Sequence, residues 1–385
     1  MKPLAEHKTR LILEEGCLDK KGELLLSLGE RALILTGKNG AVRSGALADA
    51  IAALSANDQT FRIFDKISEN PTTEVCREAA KEALNARADF ILAIGGGSVM
   101  DAGKLVALLA AMGEESGIDG FTDDLLYSAD LSEAACLPIA VVGTTAGTGS
   151  EVTNIAVLTR NDGTKKGISA PCLYPAIAFA DTRYTESMSP LTTCSTGLDA
   201  LCHLLESYFS EEFDSRAEAV CLEGISLAVG NLLHLQESEA YAKRSEFRKK
   251  MHKASLLGGY AIDLCRTAFP HMAGYALTEK TGLPHGLATA LFLPVHLALA
   301  EEFMPERAQK MEKECGFSCQ DISELVDSLV LSALFAGEWH LSEDLLNGEE
   351  RRYETAANRK RTPSVPDAEE LLDLAKERLS LVLSS

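Results

Sequence analysis

Alternation between short apolar runs and helical patterns constrains this chain more than any other feature of its sequence. Residues 31–37 (RALILTG), 61–67 (FRIFDKI), 90–98 (FILAIGGGS), 137–145 (LPIAVVGTT) and 176–181 (AIAFAD) are rich in β-branched and aliphatic side chains. Between them, SGALADAIAAL and PTTEVCREAAKEALNAR carry apolar residues at helical spacing. Repetition of that unit predicts a parallel sheet with crossover helices, since parallel neighbours cannot be joined by a tight turn. After about Pro190 the pattern changes: TGLDALCHLLESYFS, AEAVCLEGISLAVGNLLHL and RKKMHKASLLGGYAIDLC keep a 3.6-residue period with almost no strand signal. The expected architecture is an α/β domain over residues 1–185 and an all-α domain over residues 186–385, and a 385-residue chain has room for both. Two stretches fit neither pattern. Residues 113–136 read as an acidic surface excursion, and residues 347–367 as a charged, Pro-containing loop before a last amphipathic helix.

Composition narrows the function. A net charge of −20 and a pI near 4.9 argue against binding nucleic acid or an anionic membrane through the overall field. Ten cysteines are scattered with no CxxC pair, which suggests reduced thiols in a cytoplasmic protein rather than a zinc ribbon or a disulfide framework. The N-terminal stretch MKPLAEHKTRLILEEG lacks an apolar core, and no window is expected to reach the roughly 18 apolar residues that a membrane span requires.

Two turns invite a nucleotide. AIGGGSVMDAGK (93–104) sets Gly95, Gly96, Gly97 and Ser98 directly after a buried strand and at the mouth of a helix. Glycines let backbone N–H groups approach an anion, and the helix N-terminus adds partial positive charge. The spacing is not GxGxxG, and the turn is equally compatible with a capping box in which Ser98 caps the helix and Asp101 closes it. A second polar turn, VVGTTAGTGSEVT (141–153), also follows a buried strand, and ligands of open α/β sheets bind at that carboxyl edge.

The helical half supplies a metal set. In TGLDALCHLLESY, Asp199 and His203 stand at i and i+4, on one helix face. Such a pair is also compatible with a surface pair or a core histidine. In FPHMAGYALTEKTGLPHG, however, His271 follows Pro270 at a helix edge and His285 sits in a Pro-His-Gly turn. One carboxylate and three imidazoles form a set suited to Fe2+ or Zn2+, with positions left open for a substrate oxygen.

Together NPTTEVC, AIGGGSVMDAGK, TTAGTGSEVT, TGLDALCH and PHGLATA resemble, in order and spacing, the signature segments of the iron-containing (group III) alcohol dehydrogenases. The resemblance implies an N-terminal dinucleotide-binding domain, a helical C-terminal domain and a catalytic divalent metal in the cleft between them. It implies metal ligands at Asp199, His203, His271 and His285, and a pyrophosphate turn at Gly95, Gly96, Gly97 and Ser98 with Asp101 beside it. Further cofactor contacts are implied at Asn70, Thr144, Thr145, Thr153 and Lys165, with Lys166 adjacent to the last. A homodimer or higher homo-oligomer acting on a small alcohol or aldehyde is the corresponding expectation.

Three departures sharpen it. Gly37 stands where NAD-specific members usually carry an acidic residue, and Gly37 with Lys38 leaves room and positive charge for a 2′-phosphate, favouring NADP(H) over NAD(H). Tyr275 replaces a histidine thought to help relay the proton in alcohol-oxidising members. A tyrosine donates a hydrogen bond readily but accepts a proton poorly at neutral pH. Finally, Arg266 stands five residues before His271, in a run similar to the branch containing phosphonoacetaldehyde reductases. It is placed either to clamp an anionic aldehyde or to pair with Asp263 or Glu279. The remote alternative is a dehydroquinate-synthase-like lyase, whose dense basic set is missing from the helical half.

Overall fold

The structure is a computed structural model and describes residues 7–238, 240 and 243–384. Residues 1–6, part of the segment read above for targeting, lie outside that set. The chain divides into two compact units, Met1–Thr145 with Gly149–Ser187, and Ala146–Thr148 with Met188–Ser385.

The first unit contains strands β1 (Arg10–Leu13), β2 (Arg31–Thr36), β3 (Thr60–Phe64), β4 (Phe90–Gly95), β5 (Ile139–Gly143), β6 (Ile155–Thr159), β7 (Lys165–Ser169) and β8 (Ile177–Ala180). Six form one sheet in the order β1-β8-β5-β4-β2-β3, and every neighbouring pair is parallel. The helices are α1 (Cys17–Lys21), α2 (Gly40–Arg43), α3 (Ala46–Ala56), α4 (Thr73–Asn85), α5 (Gly97–Ser116) and α6 (Asp123–Ser128). Side-chain alternation divides β4 between two cores. Ile91 and Ala93 join the core beneath α4 and α5, whereas Phe90, Leu92 and Ile94 join the one beneath α3. Covered on both faces, β4 and β5 are buried throughout, which is why they read as unbroken apolar runs.

β1 and the antiparallel hairpin β6–β7 escaped the sequence reading. β1 is a four-residue edge strand, and β7, KKGIS, is mostly polar. The capping-box reading is also corrected: Gly96 caps α5 without a side-chain bond, and Asp101 accepts instead from Ser150 Oγ (2.7 Å) and the Val157 amide (2.9 Å). Nor is 113–136 merely a surface excursion. Phe121, Leu126 and Leu131 enter the core, while Asp123 pairs with the buried Arg77 (2.6 Å).

The second unit is helical among its described residues: α7 (Pro190–Tyr208), α8 (Glu218–Glu237), α9 (Ser245–Cys265), α10 (Phe269–Thr281), α11 (His285–Ala290), α12 (Leu293–Phe303), α13 (Pro305–Cys315), α14 (Cys319–Ala336), α15 (Glu350–Thr355) and α16 (Ala368–Ser384). Ser189 caps α7 by accepting from the Thr192 amide, with Pro190 pre-set at the first helical position. α7 is buried along most of its length and packs against α8, α9 and α11. The charged loop expected at 347–367 contains α15, whose Tyr353 is buried and whose Arg352 grips Glu279 and Glu349. Two segments reach membrane length by composition. Ser215–Glu237 and His285–Phe303 both reach a mean hydropathy of 1.3, and 50% and 67% of their apolar windows lie buried inside the protein, as in core helices.

Candidate metal centre and nucleotide turn

In the helical unit three of the expected ligands, Asp199, His271 and His285, form a cluster whose donor atoms all lie within 4.8 Å of one another, and His203 adjoins it through Asp199 and His271. Asp199 and His203 lie one turn apart on the buried face of α7. Arg266 ends α9 with φ 62°, in the left-handed region, and the chain then turns so that Pro270 starts α10 and His271 falls in its first turn. α11 begins at His285. Its next residue must be glycine, because a Cβ on Gly286 would lie 1.8 Å from the Ser195 carbonyl oxygen of α7. That close approach carries His285 to Asp199.

Asp199 Oδ1 lies 3.7, 3.5 and 3.8 Å from the Nε2 atoms of His203, His271 and His285, and the first two of those nitrogens are 3.0 Å apart. Four donors held about 2.1 Å from one ion in a tetrahedron would stand about 3.4 Å from one another. Asp199 Oδ1 is moreover buried with no hydrogen-bond donor among the described residues. Spacing, orphaned oxygen and borderline-soft donors all fit a divalent cation. Burial would raise the Asp199 carboxyl, but the three imidazoles outweigh it and hold the group well below the usual carboxylate range. Burial lowers His203. It would lower His271 too, yet Glu206 and Asp199 push that imidazole up to about 10. The folded site thus retains a proton that a cation would displace.

Sequence reasoning missed Glu206. Fully buried on α7, it accepts from His271 Nδ1 through Oε1 (2.6 Å) and from the Ala268 amide through Oε2 (2.6 Å). It therefore fixes the proton on Nδ1 and aims the His271 Nε2 lone pair at the cluster. Its only sequence signal was a carboxylate one turn after His203 in an otherwise apolar helix. A second missed support comes from the expected C-terminal loop: Asn358 Nδ2 donates to the Thr267 and Ala268 carbonyls (3.1 and 3.0 Å), and Thr362 Oγ1 accepts from the Phe269 amide (3.2 Å). Tyr275 stacks on His285, with ring centroids 5.4 Å apart, and meets His271 edge-on at 6.4 Å. Arg266 is half-buried, and one of its two candidate partners, Glu279, takes both guanidinium arms of Arg352.

In the α/β unit the two polar turns are neighbours. The Thr144 amide donates to the Gly95 carbonyl (2.9 Å), and a Cβ on Gly96 would lie 2.9 Å from Thr145 Oγ1. Gly97 and Ser98 open α5 with free backbone amides, so the turn fits an anionic pyrophosphate. The second turn is braced from below by Lys104, another residue the sequence reading left without a role. Its buried ammonium donates to the Ser150 carbonyl (2.8 Å), Ser150 Oγ (2.6 Å), Thr153 Oγ1 (3.1 Å) and the Ile155 carbonyl (2.8 Å). Thr153 is buried on that lysine, and both Asp101 oxygens are engaged within the protein. Lys165 and Lys166 separate by strand alternation: Lys165 acts electrostatically on Asp101, and Lys166 lies over the Tyr127 ring at 5.2 Å. Asn70 sits exposed in the left-handed region (φ 52°). Gly37 follows β2 with an exposed Lys38 beside it, and a Cβ there would lie 2.8 Å from the Ile67 carbonyl, so glycine has a packing reason as well.

Two family descriptions match, "Iron-containing alcohol dehydrogenase" over residues 8–182 and "Fe-containing alcohol dehydrogenase family, C-terminal" over residues 193–335. The solved iron-containing alcohol dehydrogenase of Thermotoga maritima is 32% identical and superimposes with a TM-score of 0.84 over 97% of this chain and 98% of that one. Among relatives, the 4-hydroxybutyrate dehydrogenase of Cupriavidus necator is 30% identical over 75% of either chain. The sulfoacetaldehyde reductase of Bilophila wadsworthia is 29% identical over 72% of this chain and 70% of that one.

Proposed function

The chain belongs to the iron-containing alcohol dehydrogenase family, and from that premise we propose that it is a metal-dependent, NAD(P)-linked oxidoreductase interconverting a primary alcohol and its aldehyde. The observation that carries this reading is the convergence of Asp199 Oδ1 with three imidazole Nε2 atoms. A divalent cation bound there supplies Lewis acidity toward an alcohol or aldehyde oxygen, and the nicotinamide carries the hydride. The chain's own residues do the rest. Asp199 stays ionised, Glu206 holds His271 in the ligating tautomer, and Gly97 and Ser98 present amides to the pyrophosphate, with Gly95 and Gly96 keeping the turn free of side chains. Tyr275, stacked on His285, offers a hydroxyl to the substrate oxygen. The test is reduction of an aldehyde panel by NADPH after stripping and reloading with Fe2+ or Zn2+. Activity should vanish and return with the metal, and turnover indifferent to complete stripping refutes the assignment.

Two finer readings have their own supports. Relatives named for 4-hydroxybutyrate and sulfoacetaldehyde act on anionic molecules, and Arg266 stands at the turn that delivers His271, so an anionic aldehyde such as phosphonoacetaldehyde is the second substrate reading. Arg266→Ala should raise KM for an anionic aldehyde far more than for butanal; equal effects remove it. Gly37 and the exposed Lys38 favour NADP(H), and a strong NADH preference in KM overturns that choice.

A further inference from the structure

Eight of the ten cysteines are buried, and the two that are partly exposed, Cys136 and Cys172, are in contact with each other. Their Sγ atoms stand 2.6 Å apart although 36 positions separate them in the chain. The sheet is what brings them together. Cys136 lies on the segment entering β5, Cys172 in the turn Pro171–Leu173 that precedes β8, and β5 and β8 are adjacent, with Ala140 opposite Ile177. All ten cysteines are free thiols, and the fold holds this pair within reach of a bond.

The two sulfurs are also chemically unequal. The contact between the two sulfurs outweighs burial and holds the Cys172 thiol below its ordinary value. The same contact, reinforced by burial, pushes Cys136 up. An accessible, stabilised thiolate forms a mixed disulfide readily, and a second thiol in contact with it is placed to resolve that bond.

We propose that Cys136 and Cys172 form a dithiol–disulfide couple that a small disulfide of the glutathione type oxidises and a dithiol reduces. The Cys172 thiolate attacks one sulfur of the oxidant, forming a mixed disulfide and releasing one thiolate. Cys136, deprotonated, then attacks Cys172 Sγ and expels the second. Two protein thiols and one small disulfide become one protein disulfide and two small thiols, so atoms, protons and electrons balance.

The experiment treats the full-length protein with oxidised glutathione, quenches in acid, alkylates the remaining thiols under denaturing, non-reducing conditions, and maps peptides by mass. The expected result is loss of two alkylatable thiols, a Cys136–Cys172 cross-linked peptide, and full recovery with dithiothreitol. In Cys136→Ser, which removes the resolving sulfur, the glutathione adduct should persist on Cys172. Ten alkylatable thiols after oxidation, a stable adduct on Cys172 of the unmutated protein, a cross-link between other cysteines, or no adduct in Cys136→Ser would each overturn the proposal.

Discussion

Replacing Glu206 by glutamine changes one atom in a fully buried side chain and tests the whole architecture of the metal centre. Both carboxylate oxygens accept from N–H donors, one from His271 Nδ1 and one from the Ala268 amide, each at 2.6 Å. Glutamine offers one acceptor and one NH2 to two donors. If its oxygen stays on Ala268, the NH2 faces His271 and drives the proton from Nδ1 to Nε2, where it blocks the ligating lone pair. If its oxygen stays on His271, the NH2 confronts the Ala268 amide at the turn delivering α10. Either arrangement loses a charge-assisted hydrogen bond worth about 1.5–3 kcal/mol. At about 1.4 kcal/mol per decade, Zn2+ affinity should fall about ten- to hundredfold, the range usual for a group that orients a ligating histidine. The assay is competition for Zn2+ against a chromophoric chelator, with circular dichroism as the folding control. Glu206→Asp keeps the charge but shortens the reach, so it should fall between wild type and glutamine. A Glu206→Gln protein that folds and binds Zn2+ within twofold of wild type would refute the role.

Three further predictions follow from other parts of the molecule. Burial raises the Glu151 carboxyl to about 7, so the folded state holds a proton that the unfolded chain has lost. Stability from this group is present below about pH 4.5 and disappears as pH rises to about 7, a change of about 3 kcal/mol. Glu151→Gln should therefore raise the thermal midpoint at pH 8 and leave it little changed at pH 4, and an equal shift at both would remove the argument. Gly286→Ala drives a methyl into the Ser195 carbonyl and the Asp199 Cβ. It should destabilise the helical unit by about 3 kcal/mol and weaken metal binding, measured by denaturant unfolding and by the same competition assay. Asn358→Ala leaves the Thr267 and Ala268 carbonyls only their long 3.5 Å bonds from Arg361 Nη1 and the Met272 amide, for a loss of about 1–2 kcal/mol; if metal affinity is untouched, the C-terminal segment does not position His271.

The features legible in the sequence are those that short-range physics imposes. Of the five strands read from apolar runs, β2, β4, β5 and β8 are largely or wholly buried, and their side chains alternate between two faces with the two-residue period. The Asp199–His203 pair was visible because a helix turn puts i and i+4 on one face. Where local signals competed, the capping-box alternative failed: Asp101 has the spacing, yet tertiary partners Ser150 and Val157 claim its oxygens.

Only the tertiary structure decided which groups those local pieces would meet. Glu206 is one turn beyond His203, but its meaning depends on a histidine 65 positions away, and Lys104 acquires its role from acceptors on a loop about 46 positions on. Asn358 reaches back about 90 residues to brace a ligand turn, and Cys136 finds Cys172 only because β5 and β8 are neighbours in the sheet. Hydrogen-bond partners separated by so much chain leave no periodic mark in the sequence. The candidate ligands are therefore written along the chain, and the groups that orient them are assigned by packing.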